Sequence, residues 1–120
     1  MGKNENSHEL KLFKQLELLI RKEKLYRNPS LNRSILARHL SSNRTYVSGC
    51  VRHILGKSLA EYIDALRLSE FICRLKTEEE KCLFILAEEV GYSSYTTFYR
   101  AFVKNYGMSP AEYRQQLNNL

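Results

Sequence analysis

Apolar residues recur along this chain at helical spacing. Leu10, Phe13, Leu16, Leu19 and Ile20 alternate with Lys11, Lys14, Glu17, Arg21 and Lys22, which predicts an amphipathic helix over about residues 9–26. Asn28-Pro29-Ser30 ends it. Asn32 can cap a short second helix over 35–40, with Leu31 and Leu36 placed as a hydrophobic staple across that cap. Ser41-Ser42-Asn43 is a turn offering another N-cap, and a third helix carries Val47, Val51, Ile54 and Leu55 on one side until Gly56 stops it. Ser58-Leu59-Ala60-Glu61 is a capping box that opens a long helix with Leu59, Tyr62, Ile63, Leu66, Ile72 and Leu75 facing inward. A further short helix over 81–89 presents Leu83, Leu86, Ala87 and Val90, and Gly91 allows a turn at positive φ. Another helix over 95–106 stops at Gly107, and Ser109-Pro110-Ala111-Glu112, a second capping box with Pro at the first helical position, starts the last one.

The two halves of this pattern repeat. Leu36-Ala37-x-x-Leu40 corresponds to Leu86-Ala87-x-x-Val90 at a shift of 50, and one extra residue in the second turn makes the shift 51. Val47 then meets Phe98, Val51 meets Phe102 and Gly56 meets Gly107, while Ser58, Glu61 and Tyr62 meet Ser109, Glu112 and Tyr113. Matches at apolar positions are common by chance; a Gly, a Ser, a Glu and a Tyr in one register are not. Each half is a short helix, a tight turn and a second helix stopped by Gly, which is a helix-turn-helix. Ala37 and Ala87 are small enough to let the second helix cross close over the first. The expected fold is therefore all-α: two helix-turn-helix units joined by a long helix, about seven helices, plus the N-terminal amphipathic helix.

Charge turns this from a packing pattern into a functional one. The chain of 120 residues carries a formal charge of +6, and its distribution says more than the total. Residues 24 to 60 hold seven basic side chains and no acidic one, and residues 90 to 111 hold Arg100 and Lys104, again without a carboxylate. The acids collect at Glu61, Asp64, Glu70 and the Glu78-Glu79-Glu80 run. In a helix-turn-helix the first turns of the second helix enter the major groove, so residues there that face away from the core should be polar or basic. Arg44, Thr45, Ser48 and Arg52 meet that requirement in the first half. Ser94, Tyr95, Thr96, Thr97, Tyr99, Arg100 and Lys104 meet it in the second.

Other classes fit less well. No nucleophile–base pair, phosphate loop or metal cluster can be assembled, so an enzyme, a cofactor and a metal site are not expected. Cys50, Cys73 and Cys82 are odd in number and lack C-x-x-C spacing, which suits buried reduced thiols in a cytoplasmic protein. His39 and His53 are expected to face solvent or phosphate. No apolar run reaches membrane-spanning length, and the polar start is no secretory signal. Two rivals stay open: an RNA-binding module, or a protein adaptor using a tyrosine face of Tyr92, Tyr95, Tyr99 and Tyr106.

Residues 32 to 117 resemble the DNA-binding domain of the AraC/XylS transcription regulators. The resemblance rests on Ala87-Glu88-Glu89-Val90-Gly91-Tyr92 followed by Phe98-Tyr99-Arg100-Ala101-Phe102, and on Gly107-Met108-Ser109-Pro110-Ala111-Glu112-Tyr113-Arg114. It implies two recognition helices in successive major grooves of a double-stranded operator, control of transcription initiation, and RNA polymerase as a partner. Carried over by motif position, Thr96, Thr97, Tyr99 and Arg100 read bases in the second unit, with Thr45 and Ser48 in the first. Arg100 can donate twice to guanine, unless a surface ion pair with a nearby Glu holds it. Lys104, Ser93 or Ser94, Arg44, Arg52 and Lys57 would grip phosphate, which positions without specifying. Tyr95 either stacks on the DNA backbone or covers the core.

The first unit departs from the family at Gly49, where an Arg often follows the Ser of the recognition helix. Gly49 either removes a guanine contact, permits close backbone approach, or answers a packing need. The expected organisation is 1–8 as a polar linker or cloning remnant and 9–31 as N-terminal helix and connection, followed by 32–120 as the double helix-turn-helix domain. Within that domain the pieces are 32–57, the linker helix 58–76, 77–108 and the C-terminal helix 109–120. The N-terminal helix either packs on the first unit or ends a cut connection. The chain reads as the C-terminal output piece of a longer regulator with a sensory region, the alternative being a small stand-alone regulator.

Overall fold

A computed structural model describes residues 2–119, with side chains from Ser7 onward. Its α-helices are α1 (Gly2–Glu17), α2 (Arg33–His39), α3 (Arg44–Leu55), α4 (Leu59–Thr77), α5 (Leu83–Glu89), α6 (Tyr95–Tyr106) and α7 (Pro110–Asn118). No strand occurs among the described residues, as the all-α reading requires. The chain forms two compact units, Met1–Ile63 and Asp64–Leu120, so the boundary falls inside α4.

In the first unit α1 begins at Gly2 rather than near residue 9. No Gly or Pro follows between residues 3 and 28, and polar residues alone do not stop a helix already nucleated by its apolar stripe. Its buried residues are Leu12, Phe13, Leu16 and then Ile20, while Leu10, expected inside, is 47% exposed. The helix also ends sooner than its periodicity suggests. Leu18–Lys22 widens into a π-helical turn, Lys24 takes a left-handed φ of 56°, and a short 3₁₀ turn spans Leu25–Arg27. That wider turn puts Ile20 fully inside and leaves Leu18 in solvent.

α2 and α3 follow from their caps. Asn32 Oδ1 accepts from the Ile35 amide at 2.9 Å, and the staple pair Leu31 and Leu36 is buried. Asn43 Oδ1 accepts from the Tyr46 amide at 2.8 Å, and Gly56, at φ 70°, closes α3. Val47, Cys50 and Val51 supply the buried face; Ile54 and Leu55 were expected there but lie at the surface in the last turn. Ring centroids of Phe13 and Tyr62 lie 6.2 Å apart, linking α1 to the start of α4. His53 Nδ1 sits 2.8 Å from Glu9 Oε1, so this histidine is exposed yet paired.

The second unit is built on aromatic rings. Phe71 lies 4.6 Å from Phe98 and 5.7 Å from Phe102, centroid to centroid, and Leu68, Leu75, Leu86, Ala87, Val90 and Tyr92 complete the buried core. Leu66 was expected inward and is only half-buried, while Leu68 and Phe71 are fully buried. α4 serves two cores in succession, so no single stripe describes it. The Ser109 capping box forms, with the Ser109 hydroxyl accepting from the Glu112 amide at 3.1 Å and Glu112 accepting from the Ser109 amide at 3.4 Å.

The cysteines correct one expectation. Cys50 is buried, and burial, helped by Glu9, pushes its thiol up to about 11; Cys73 and Cys82 are exposed.

Candidate nucleic-acid interface

α3 and α6 are the same device made twice. Each has 12 residues, a polar N-cap and a left-handed glycine C-cap, with no acidic residue in its first turn. Their N-terminal dipole ends therefore stay positive and uncompensated, as an approach to phosphate needs. Val47 and Val51 bury one face of α3, Phe98 and Phe102 the same face of α6, and the opposite faces are left to solvent.

On α6 that outer face carries Thr96, Thr97, Tyr99 and Arg100, all exposed, with Lys104 a turn further on. At 1.5 Å per residue, Thr96 and Lys104 are about 12 Å apart along the axis, within the reach of one groove. Ser94, not Ser93, caps the helix: its hydroxyl accepts from the Thr97 amide at 3.4 Å. Ser93 stands exposed one residue earlier. Tyr95 covers the core, its ring 5.3 Å from Phe98 and stacked on Phe84 at 5.9 Å, and burial raises its pKa.

On α3 the outer face is shorter. Arg44, Thr45 and Arg52 are exposed, Ser48 and Gly49 half-exposed, and Lys57 follows the Gly56 cap in solvent. Ser48 and Arg52 line a cleft of about 410 Å³ together with Arg33 and the capping residue Ser58. Two arginines and two hydroxyls thus gather on one side of α3. Tyr46, 42% exposed in the first turn of α3, was missed at sequence level, although the repeat register aligns it with Thr97.

Electrostatics separate these cations from Arg74 and Lys81. Arg74 is committed to carboxylates, with Glu78 at 2.6 Å, Glu89 at 2.6 Å and Glu70 at 3.6 Å, and Lys81 joins Glu78 and Glu89. Among the described residues Arg44, Arg52, Lys57, Arg100 and Lys104 take part in no such pair, so the ion-pair alternative for Arg100 does not form. The tyrosine face does not form either. Tyr92 is 4% exposed and donates to Asp64 at 2.7 Å, Tyr95 and Tyr106 are half-buried, and of the four only Tyr99 is exposed. No group of residues that could hold a metal ion occurs among the described residues, and none of their helices is long and apolar enough to cross a membrane.

Comparison with known proteins agrees with this geometry. A family model described as a helix-turn-helix domain matches residues 36–116. The melibiose operon regulatory protein of Escherichia coli (strain K12) is 30% identical over 80 residues, which are 67% of this chain and 26% of that protein. The chain thus spans about a quarter of that relative's length. Regulatory protein SoxS of Salmonella typhimurium is 31% identical over 87 residues, 72% of this chain and 80% of SoxS. The solved C-terminal domain of AraT, a response regulator from Geobacillus stearothermophilus, superposes with a TM-score of 0.79 at 26% identity, covering 88% of this chain and 84% of that one. The C-terminal domain of the two-component response regulator yesN from Fusobacterium nucleatum gives 0.75 at 27% identity, covering 84% and 96%.

Proposed function

From the premise that this chain belongs to the AraC/XylS-type helix-turn-helix family of DNA-binding transcription regulators, we propose that it reads an operator with α3 and α6 in successive major grooves of duplex DNA. The observation that carries this reading is the contrast in cation use. Arg74 and Lys81 are neutralised by carboxylates, whereas Arg44, Arg52, Lys57, Arg100 and Lys104, on and beside the two capped helices, are not. An unneutralised cation on a face of hydroxyls and a positive helix end suits a polyanion.

Thr96, Thr97, Tyr99 and Arg100 contact base edges in the second unit, and Thr45 and Ser48 do so in the first. Arg100 supplies the guanine contact, because its guanidinium can bond O6 and N7 together. Arg44, Arg52, Lys57, Lys104 and the hydroxyls of Ser93 and Ser94 hold the backbone in register. RNA polymerase is the partner through which the bound domain acts on initiation. As a transcription-regulator domain it is no enzyme.

Selection from a random duplex pool, followed by salt titration on the winning sites, tests this. A defined motif over about two helical turns is expected, with affinity falling steeply in salt, the log–log slope being roughly −0.9 per phosphate gripped. Absence of any motif, or equal affinity for single-stranded RNA, would overturn the reading.

A further inference from the structure

We infer that Gly49 makes the first recognition helix a sequence-tolerant grip, so that base discrimination is concentrated in the second unit. The inference rests on the DNA-reading proposal above and deepens it. Gly49 sits in the register position that Arg100 occupies in α6, at the shift of 51 that also aligns both core pairs and both glycine caps.

Three observations lead there. First, Gly49 has no packing duty: a Cβ built on it meets nothing within 4 Å. Second, it has no conformational duty, because it lies inside α3 and is not among the glycines at positive φ, which are Gly56, Gly91 and Gly107. A helix-interior glycine weakens its helix, and here the fold offers no return for that loss. Third, its neighbours on the outer face are short. Thr45 and Ser48 hold no group that reaches two acceptors of one base, and the long donors Arg44 and Arg52 stand at the two edges of the face. Long cations at the edges and small residues between them fit phosphates, not guanine.

The corresponding stretch of α6 has the reverse make-up. Tyr99 stands where α3 has Ser48, Arg100 where it has Gly49, and Val103 where it has Arg52. The long side chains in the second unit lie at the middle of the face and the phosphate-type cation, Lys104, further along. Strict recognition in one half-site and loose recognition in the other follows.

The test compares wild type, Gly49→Ala, Gly49→Arg and Arg100→Ala by site selection and by titration on the selected duplex with each base pair permuted. Wild type should tolerate any base pair opposite Gly49 within about threefold, while discriminating tenfold or more at the Arg100 position. Gly49→Ala should keep that tolerance and the same affinity. Gly49→Arg should gain a guanine preference of roughly tenfold or more in the first half-site, because the space for the side chain is already there. Wild-type discrimination of tenfold opposite Gly49, or a tenfold loss of affinity in Gly49→Ala, would overturn the inference and point to close backbone approach instead. If Arg100→Ala leaves every preference unchanged, the DNA-reading proposal itself falls, which is a different result from a failure at Gly49 alone.

Discussion

The two helix-turn-helix units share a plan and differ in how they are held. The first fills its core with Leu16, Ile20, Leu36, Val47 and Val51, the first two of them supplied by α1 and the turn after it. The second fills its core with Phe71, Phe98 and Phe102 and covers it with polar ties, among them Tyr92 to Asp64, Arg67 over the Tyr92 ring at 5.2 Å, and the Arg74 network. Arg114 adds a clamp on the loop between α4 and α5, its guanidinium donating to the carbonyls of Glu78 and Lys81. The unit with the long base-reading candidates is thus the one whose candidate helix, α6, is fixed by interlocking rings. A reader has to be held in register to discriminate, whereas a phosphate grip tolerates more play.

Breaking the aromatic core should have the largest effect. Phe71→Ala removes a fully buried ring that touches both core residues of α6, and should cost about 3–5 kcal/mol. Chemical denaturation followed by NMR should show unit-two resonances collapsing first, with those of the first unit retained. Simultaneous loss of both would mean that the units do not fold separately.

Next comes Arg100→Ala, which should cost about 1–3 kcal/mol at one base pair of the selected site and little in fold stability. Lys104→Ala on the same site should instead weaken all sequences alike and lower the salt slope by roughly 0.9. Titration of both variants against permuted duplexes separates a reader from a grip.

Much of this comparison was legible in the sequence, and the parts that were not have a common cause. Caps and stops at Asn32, Asn43, Ser58, Gly56, Gly107 and Ser109 are local chemistry, and the structure places them where the sequence reading does. Face assignments failed where an element serves more than one neighbour. Leu66 was read as inward because one period was drawn through the whole of α4, yet the helix changes cores midway. α1 was cut short at its start because a polar stretch was taken for a linker, and overextended at its end because nothing local announces the π-helical turn. Outer faces of α3 and α6 were found because the repeat gave two copies of one pattern. Tyr46 was missed although the repeat register aligns it with Thr97, because a tyrosine next to the core residue Val47 is marked as outward only by its exposure in the folded chain.

Two tyrosines sharpen the comparison at a smaller scale. Tyr92 is buried with its hydroxyl on Asp64, and burial first, then that bond, raises its pKa, so the proton stays on the phenol and donates. Tyr92→Phe should destabilise the second unit by about 1–2 kcal/mol, since Asp64 loses a donor but keeps access to water. Tyr62 in the first unit is also buried, yet among the described residues its hydroxyl has no partner. Tyr62→Phe should therefore be neutral or stabilising by up to about 1 kcal/mol. Tyr92→Phe should lower the melting temperature while Tyr62→Phe holds or raises it; a large loss in Tyr62→Phe would reveal a partner for that hydroxyl.

The smallest effect is expected from acid, and it should fall on the second unit. The Arg74 hydrogen bond, then that of Lys81, lowers the Glu78 carboxyl from 4.5 to about 2, and Lys81 with Arg74 also lowers Glu89. A carboxylate whose pKa falls on folding contributes stability that is complete above its unfolded value and disappears as pH drops through the folded one. The Arg74 network should thus support the loop between α4 and α5 fully at pH 6, weaken below about 4.5, and be gone near 2. Solvent screens these partly exposed groups, so the change in melting temperature should be slight and should shrink further in salt. Arg74→Gln supplies the reference: its deficit relative to wild type should be greatest at pH 6 and close as pH falls. A deficit that stays constant down to pH 2 would mean that Arg74 supports the second unit through packing of its stem, not through charge.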